Sequence, residues 1–408
     1  MSVLFSLALR NVVRNARRSV VTLCAIALGV LVVVVLKGGA DGFIALVVAS
    51  VVDGRTGALQ VHRKGYFEER EALPLHLAMP RSAALEASIL GVPGVKGLAP
   101  RIHFAGLLSD GASQANVVGT AIDPALERRA CPNWGKDLLP GSVDLAPEDR
   151  GQALLGVALA ASLKATPGGA AHLTLSASSP GGRMNALDLE VKGVTETMLR
   201  FENKRQLTVP LAFAQALLGL EGQVTEYAVA VEDLSALDQV AAALRERLGP
   251  EYEVQTWRQA QPYMFGVVRR QEGVVLIAGV IFFLAIATGI ANAMATSVLE
   301  RVREVGTMLA FGMRRRAILA LFVLEALTIG AAAGVVGALL GRAGVWAMAQ
   351  VGFPVRAILS PGVVLVRPEV SWSFTALSVL AAGVVAVVAA ALPALKASRL
   401  DPVEALRS

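Results

Sequence analysis

Four long hydrophobic segments divide the chain unevenly, because one lies near its start and three lie near its end. They occupy residues 20–36, 273–299, 317–341 and 370–395, and a mostly polar region, residues 53–265, separates the first from the second. Even the shortest segment has 17 residues, at the lower end of the range of about 17–25 with which transmembrane helices cross a hydrocarbon core about 30 Å thick. The pattern predicts a membrane protein with four transmembrane α-helices, arranged as one plus three, and one large domain outside the bilayer.

Basic residues mark the helix ends that stay in the cytoplasm. They precede the first segment, fill the connection between the second and third, and follow the fourth, at Arg10, Arg14, Arg17, Arg18, Arg301, Arg303, Arg314, Arg315, Arg316, Lys396, Arg399 and Arg407. We therefore expect a multi-pass protein of the bacterial cytoplasmic (inner) membrane with both termini in the cytoplasm. Residues 53–265 and the short loop 350–369 are expected on the periplasmic face.

The first eighteen residues have two interpretations. Phe5, Leu9, Val12, Val13 and Ala16 follow helical spacing with arginines opposite, which favours a cytoplasmic amphipathic helix on an anionic leaflet. An ordinary basic flank is the alternative. Small residues at 38–40 would suit a signal peptidase, but a signal peptide usually begins with a short and merely basic stretch. We therefore expect the first segment to remain as a transmembrane helix.

The region between the first two segments has the pattern of a mixed α/β domain. Alternating apolar and polar positions predict strands at residues 58–61, 116–121, 172–176, 187–194, 206–209 and 227–231. Helical spacing predicts helices at residues 82–90, 211–218 and 234–248, the last beginning after Asp233 and ending at Gly249. A stretch rich in proline, glycine and acidic residues, 140–151, permits a break between two subdomains.

The composition does not indicate catalysis or nucleic-acid binding. Apolar residues make up 54% of the chain and charged residues 17%, and the net charge of +6 comes largely from the cytoplasmic flanks. Cys24 and Cys131 fall in different parts of the predicted topology and cannot pair. The histidines lack the spacing of metal ligands, and there is neither a nucleophile elbow nor a glycine-rich nucleotide loop. We expect a chain that is not an enzyme and that binds no metal or other cofactor itself.

The connection between the second and third segments, residues 299–316, has the most specific sequence of the chain. One apolar stripe at helical spacing comprises Val298, Val302, Val305 and Leu309, and charges lie largely on another face, at Glu300, Arg301, Arg303 and Glu304. Gly306 and Gly312 permit a close contact or a turn. These features predict a short amphipathic helix at the membrane surface, and the residues alone leave open whether it is more than a connector.

This connection resembles the signature Glu-Arg-x-Arg-Glu-x-Gly-x-x-x-Ala-x-Gly of the FtsX-like permeases, the membrane subunits of the MacB-type ABC transporter superfamily. The similarity continues into residues 322–327, and residues 7–15 and 392–407 look like the family's beginning and ending. The resemblance implies a coupling helix at residues 300–316 that docks on a separate ATPase. Its implied contact residues are Glu300, Arg301, Arg303, Glu304, Gly306 and Gly312.

The family's layout also implies how the chain is divided and with what it assembles. The expected parts are a cytoplasmic amphipathic helix (1–18), a transmembrane helix with its stalk (19–52), the periplasmic domain (53–265), a stalk with the second transmembrane helix (266–299), the coupling helix (300–316), a third transmembrane helix (317–349), a loop (350–369), a fourth transmembrane helix (370–395) and a tail (396–408). The implied partners are two copies of a LolD-like or MacB-like ATPase, which would hold ATP and Mg, and a second permease, identical or paralogous. ATP-driven closure of the ATPases would bring the stalks together and change the shape of the outer domains.

In layout the chain looks most like the LolC and LolE subunits of the lipoprotein-releasing complex. That likeness implies extraction of lipoproteins from the outer leaflet of the inner membrane and their transfer to a periplasmic LolA-like chaperone. The lipoprotein's acyl chains would pass between the first span of one permease and the second span of its neighbour, over Val33, Leu36, Phe43, Val267, Val274 and Ile277. The chaperone would meet the exposed turn Ser178, Ser179, Pro180, Gly181 and Gly182, for which a plain hairpin is the simpler interpretation. A MacB-like efflux permease with a separate ATPase and an FtsX-like regulator of a cell-wall hydrolase are the alternatives.

Glu325 is the only charged residue within the third hydrophobic segment. A carboxylate that faces lipid is costly, so we expect Glu325 to face another helix or a watery crevice. A structural hydrogen bond to a neighbouring helix is a simpler role for it than a proton relay.

Overall fold

The computed structural model describes residues 10, 14, 16–169, 172–197, 202–356 and 363–399. The chain divides into two compact units. The membrane unit comprises Met1–Ala45, Val268–Pro354 and Leu365–Ser408, and the extramembrane unit comprises Leu46–Val267 and Val355–Val364. Most of the predicted amphipathic helix at residues 1–18, and the family-like ending after residue 399, lie outside the described residues.

The helices and strands are numbered here in chain order. The helices are α1 (Ala16–Val48, continued as a π-helix over Ala49–Thr56), α2 (Ala83–Leu90), α3 (Pro124–Ala130), α4 (Val157–Ser162), α5 (Leu211–Leu218), α6 (Leu237–Leu248), α7 (Trp257–Ala260), α8 (Pro262–Glu300), α9 (Val302–Ala310), α10 (Arg315–Val351) and α11 (Trp372–Ser398). The strands are β1 (Leu59–Arg63), β2 (Met79–Pro80), β3 (Val95–Ser109), β4 (Gln114–Ile122), β5 (Gln152–Gly156), β6 (Leu173–Ser178), β7 (Met184–Thr195), β8 (Gln206–Pro210), β9 (Gln223–Val224), β10 (Glu226–Val231), β11 (Tyr252–Thr256), β12 (Phe353–Arg356) and β13 (Val363–Val366). Short 3-10 helices lie at Arg70–Ala72, Leu75–Leu77, Glu202–Lys204 and Leu234–Ala236.

Four helices of the described chain are long and apolar enough to cross a membrane. They are Ser19–Thr56, Pro262–Glu300, Arg315–Val351 and Trp372–Ser398. The α/β domain lies between the first and the second, so the predicted fold class is confirmed. α8 has 39 residues and is therefore about 58 Å long, nearly twice the thickness of the hydrocarbon core.

Small residues bring the helices of the membrane unit into close contact. A Cβ built on Gly334 of α10 would lie 3.1 Å from the Cβ of Ala382 in α11. A Cβ built on Gly337, one turn further along α10, would lie 2.9 Å from the Cβ of Val30 in α1. Helices within a bilayer gain little from the hydrophobic effect, so such close backbone contact supplies much of their packing. α10 therefore packs against both α1 and α11 through its glycines.

Arg342 fixes the start of α11. Its Nη1 donates hydrogen bonds to the carbonyl oxygen of Val370, at 3.0 Å, and to the hydroxyl of Thr375, at 3.4 Å. The guanidinium also lies 3.5 Å from the ring centroid of Trp372. These contacts satisfy a charged group near one end of a membrane helix and pin α11 to α10 there.

The extramembrane unit is built on one nine-stranded sheet in the order β11-β1-β10-β3-β4-β8-β5-β7-β6. The sheet partly closes on itself, because residues 106–109 of β3 also pair with residues 174–177 of β6. β3 is thus shared by an open part, β11-β1-β10-β3, and a closed ring of six strands, β3-β4-β8-β5-β7-β6. Residues 140–151 connect α3 to β5 within this sheet, so the permitted break does not separate two sheets.

The strands and helices that the sequence predicted for this unit are all present, with end shifts of a few residues. Local caps explain several helix ends. The hydroxyl of Ser82 accepts a hydrogen bond from the N–H of Leu85 at the start of α2, and the carboxylate of Asp233 accepts one from Ser235. The elements that were not predicted are α3, α4, α7, β2, β3, β5, β9 and β11, and β3 is the longest strand of the described residues.

Candidate functional site

α9 is a separate short helix between two membrane helices. α8 ends at Glu300, α9 runs from Val302 to Ala310, and α10 begins at Arg315. The chain turns after α9 at Gly312, whose φ of +87° favours glycine. Val305 and Gly306 are buried on one face of α9. Phe311, directly before the turn, is 88% exposed.

Arg301 does not lie on the exposed face with its charged neighbours, and the sequence-based placement was wrong in this respect. The residue is only 6% exposed, and its Nη1 donates hydrogen bonds to both carboxylate oxygens of Glu325 in α10, at 3.1 and 3.3 Å. The reason is a break in the helix, because Arg301 has φ −113° and ψ 18° and separates α8 from α9. The helical projection had assumed one uninterrupted helix. Glu325 accordingly faces a neighbouring helix, as expected from its cost in lipid.

A small cavity adjoins this ion pair. It measures about 30 Å³ and is lined by Ser19, Thr22 and Ser297, by Arg301 and Glu325, and otherwise by apolar side chains. That volume suits one water molecule. The ion pair therefore lies in a largely apolar setting, where α1, α8 and α10 meet and three hydroxyl-bearing residues are nearby.

The remaining charges of the coupling segment are exposed. Glu300, Arg303 and Glu304 all lie on the surface of the membrane unit. Glu304 forms an exposed ion pair with Arg14, from the segment before the first span. The structure thus leaves Arg303 and Glu304 accessible and adds Arg14, a partner of Glu304 that the sequence pattern did not indicate.

The six residues proposed to guide acyl chains differ widely in exposure. Val33 is 4% exposed and packs inside the membrane unit. Leu36 is 42%, Val274 55% and Ile277 63% exposed, and Phe43 and Val267 are half-buried. Val274 and Ile277 belong to a broad exposed apolar face of α8, whereas Val33 faces a cleft between α1 and α8.

The residues proposed to meet a chaperone form the turn of the β6–β7 hairpin. The N–H of Ser179 donates to the carbonyl oxygen of Arg183 at 2.8 Å, and the N–H of Gly182 donates to Ser179 at 2.9 Å. Gly182 has φ +76°. The turn is a compact hairpin, and Met184 and Leu187, in β7 beside it, are 66% and 37% exposed.

A buried polar network in the extramembrane unit was not found from the sequence. Arg101 of β3 bonds Glu127 of α3 and, at 3.1 Å, Glu226 of β10. His103 Nε2 lies 3.1 Å and His62 Nε2 3.6 Å from Glu226 Oε2. The only signal in the sequence was that polar residues interrupt apolar strands.

Burial and charge act in opposite directions on this network. Burial alone would raise the pKa of Glu226, but His103, Arg101 and His62 outweigh it and lower that pKa to about 2. Burial lowers the pKa of His62, although Glu226 partly opposes the effect. Burial raises the pKa of the Cys131 thiol to about 12, against the influence of Arg101, whose Nη2 lies 3.1 Å from the sulfur. The network contains no ready nucleophile, and its buried charged groups are paired with one another.

Comparison with known proteins finds relatives of both parts of the chain. Residues 19–247 match the MacB-like periplasmic core domain family and residues 276–402 match the FtsX-like permease C-terminal family. A macrolide export ATP-binding/permease protein MacB of Rhodospirillum rubrum is 31% identical over 53% of this chain and 32% of its own length. A pyoverdine export ATP-binding/permease protein of Pseudomonas syringae is 29% identical over 54% of this chain and 32% of its own. An uncharacterized ABC transporter permease of Methanocaldococcus jannaschii is 27% identical over 53% of this chain and 54% of its own.

Two solved structures resemble parts of the chain. The extracellular domain of the transporter YknZ from Gram-positive bacteria is 16% identical, covers 48% of this chain and 99% of that domain, and has a TM-score of 0.34. The periplasmic region of MacB from Actinobacillus actinomycetemcomitans is 12% identical, covers 52% of this chain and 93% of that region, and has a TM-score of 0.35.

Four membrane helices, a large domain between the first two and a short helix between the second and third define a multi-pass membrane permease with a periplasmic domain. The MacB-like periplasmic core match alone covers more than half of the chain. The chain belongs to the MacB-type family of FtsX-like ABC transporter permeases. It spans about a third of the length of the MacB relatives that it matches.

Proposed function

We propose that this chain is the permease of an ATP-driven MacB-type export complex in a bacterial cytoplasmic membrane. Both termini and α9 would lie in the cytoplasm, because the basic residues gather there. The observation that carries the proposal is α9 itself. It presents Arg303 and Glu304 outward, while its buried face and the adjacent Arg301–Glu325 ion pair hold it against the membrane helices.

The proposed mechanism is mechanical. An ATPase that moves α9 would also move α8, to which Arg301 is joined, and α10, to which Glu325 belongs. α8 is a single helix of 39 residues, so a displacement at Glu300 would be transmitted along its length to Pro262. Residues 1–408 contain no nucleotide-binding loop. In the proposed complex, ATP and Mg would be held by two copies of a partner ATPase. A second permease, identical or paralogous, would complete the complex.

The names of the relatives point to small exported molecules. Two are called export proteins, one for macrolides and one for pyoverdine. Lipoprotein release is the second candidate, and the exposed side chains of Met184 and Leu187 favour it, since a chaperone could cover them. Regulation of a cell-wall hydrolase has no comparable observation in its favour.

Purification of the full-length chain from its own membranes, followed by mass spectrometry, tests the proposal. We expect an ATPase with a nucleotide loop, together with a membrane-fusion adaptor. A lipoprotein with a LolA-like chaperone would instead favour release, and a coiled-coil hydrolase would favour regulation. Recovery of the intact permease without any ATPase would refute an ATP-driven complex.

Glu304→Lys tests the coupling face. Reversing an interfacial charge should reduce ATPase recovery and cargo-stimulated ATP hydrolysis at least tenfold, because like charges placed opposite each other cost several kcal/mol. Glu71→Lys, at an exposed glutamate of the extramembrane unit, is the matched control. The double variant Arg14→Glu/Glu304→Lys restores the ion pair within the chain with its charges exchanged. If that variant regained full coupling, the role of Glu304 would be its ion pair with Arg14 and not a contact with the ATPase.

A further inference from the structure

A cleft opens between α1 and α8 in the membrane unit. It has a volume of about 390 Å³, within the range of small-molecule pockets. Its apolar walls include Val33 and Ala40 of α1 and Leu276, Val280 and Phe283 of α8. Gly279 also lines the cleft, and a Cβ built on it would meet no atom within 4 Å. The cleft therefore offers apolar surface with room for the hydrocarbon part of a ligand.

Charged residues lie at one end of the cleft. Lys37 directly follows the first hydrophobic segment and Glu272 directly precedes the second, so both belong at the membrane interface. Lys37 forms an ion pair with Asp41, and its Nζ lies 5.6 Å from the ring centroid of Phe374. Glu272 is exposed and has no ion-pair partner among the residues that the structure describes. Arg269 and Arg270, one turn away, do not line the cleft.

These charges select among possible head groups. Lys37 and Asp41 neutralise each other, so the carboxylate of Glu272 leaves the charged end with one surplus negative charge. An ammonium group would complement it, whereas the phosphate of a phospholipid would be repelled by the same carboxylate. The apolar end favours a hydrocarbon chain, since burial of apolar surface is favourable.

We propose that the cleft between α1 and α8 binds a single-chain amphiphile with an amine head group, its ammonium against Glu272 and its hydrocarbon beside Gly279. This site deepens the proposed export function by naming a class of cargo, and it rests on that function. The ligand is cargo rather than bulk phospholipid, because the charged end does not suit a phosphate.

Photocrosslinking to the full-length chain in nanodiscs of phosphatidylglycerol tests the site without ATP or an ATPase. The probe is dodecylamine that carries a diazirine in its chain, compared with the matching dodecanoic acid and dodecanol. We expect the amine probe to label residues 272–283 at least fivefold more than the acid probe. Equal labelling by the acid would overturn the proposed head-group selection.

Two variants separate the apolar end from the charged end. Gly279→Leu should fill the cleft and reduce amine labelling at least tenfold. Gly289→Leu, on the same helix, also adds a side chain where a Cβ would meet nothing within 4 Å, and it should leave labelling unchanged. Glu272→Gln should weaken amine labelling about two- to fivefold, as expected for an exposed ion pair, and leave dodecanol labelling as it was. The site would be refuted if Gly279→Leu left amine labelling unchanged, or if Gly289→Leu reduced amine labelling as much as Gly279→Leu does.

A further arm adds phosphatidylethanolamine to the nanodiscs. We expect it to leave dodecylamine labelling unchanged, and full competition would identify the ligand as a membrane lipid and overturn the cargo assignment. The nanodisc assay contains no ATPase, so a negative labelling result would not contradict the export proposal. Likewise, failure to copurify an ATPase would not contradict a positive labelling result.

Discussion

The buried ion pair between Arg301 and Glu325 gives the sharpest test of how the coupling segment is held. The side chains are only 7% and 5% exposed, so solvent screens their charges little. Removing one partner of such a pair leaves a buried charge uncompensated, which typically costs about 3–5 kcal/mol. We therefore expect Glu325→Leu and Arg301→Leu each to lower the free energy of unfolding by about that amount.

The double variant should cost less than the sum of the two single variants. Replacing both charges by apolar side chains removes the desolvation penalty together with the attraction, and such replacements are often close to neutral. With single losses of about 3–5 kcal/mol each and a nearly neutral double variant, the expected coupling energy is about 6–10 kcal/mol, well above the roughly 0.5–3 kcal/mol usual for contacting residues. Unfolding of the purified chain by sodium dodecyl sulfate in mixed micelles, followed by tryptophan fluorescence, would measure each free energy.

Glu325→Gln separates hydrogen bonding from charge. The amide oxygen can still accept a hydrogen bond from Arg301, so this variant should keep more stability and more ATPase stimulation than Glu325→Leu. A proton relay should instead fail in both variants, with Glu325→Gln remaining stable but inactive. Losses below about 0.5 kcal/mol in both single leucine variants, the ordinary size of a surface effect, would refute the structural role of the pair.

Two other predictions concern acid stability and helix packing. The pKa of His62 is lowered from 6.5, so the unfolded chain binds this proton more readily, and the protein should lose stability as the pH falls below about 6.5. The pKa of Glu226 is about 2 instead of 4.5, so a second loss of stability should follow as the pH falls from 4.5 to 2. Thermal unfolding followed against pH should lose the first of these two steps in His62→Phe but not in His76→Gln, at an exposed histidine. Gly337→Val should cost about 1–3 kcal/mol by overpacking, because its Cβ would clash with the backbone carbonyl oxygen of Ala27 in α1. Gly289→Val, whose Cβ meets nothing within 4 Å, should be near neutral in the same assay.

The number and positions of the membrane helices could be predicted because the length of a hydrophobic segment is a local property of the sequence. β3 could not be predicted, because Gly97, Pro100 and Gly106 break its alternation of apolar and polar residues. The pairing explains how a proline is tolerated there: residue 100 pairs with Tyr227 of β10, while pairing with β4 begins only at Arg101. The missing N–H of Pro100 therefore falls where β3 has a neighbour on one side only. This arrangement depends on strands far apart in the chain and leaves no local signal.

The charged residues show where sequence reasoning stops. A charge within an apolar segment predicts that some partner exists, since burying it alone is costly, and Glu325 met that expectation. The identity of the partner depended on the break between α8 and α9, which turns Arg301 inward, and a continuous helical projection cannot represent a break. Arg101 and Glu226 pose the same problem at a separation of 125 residues. An isolated polar residue in an apolar strand or helix therefore predicts a second buried polar group, and only the tertiary structure identifies it.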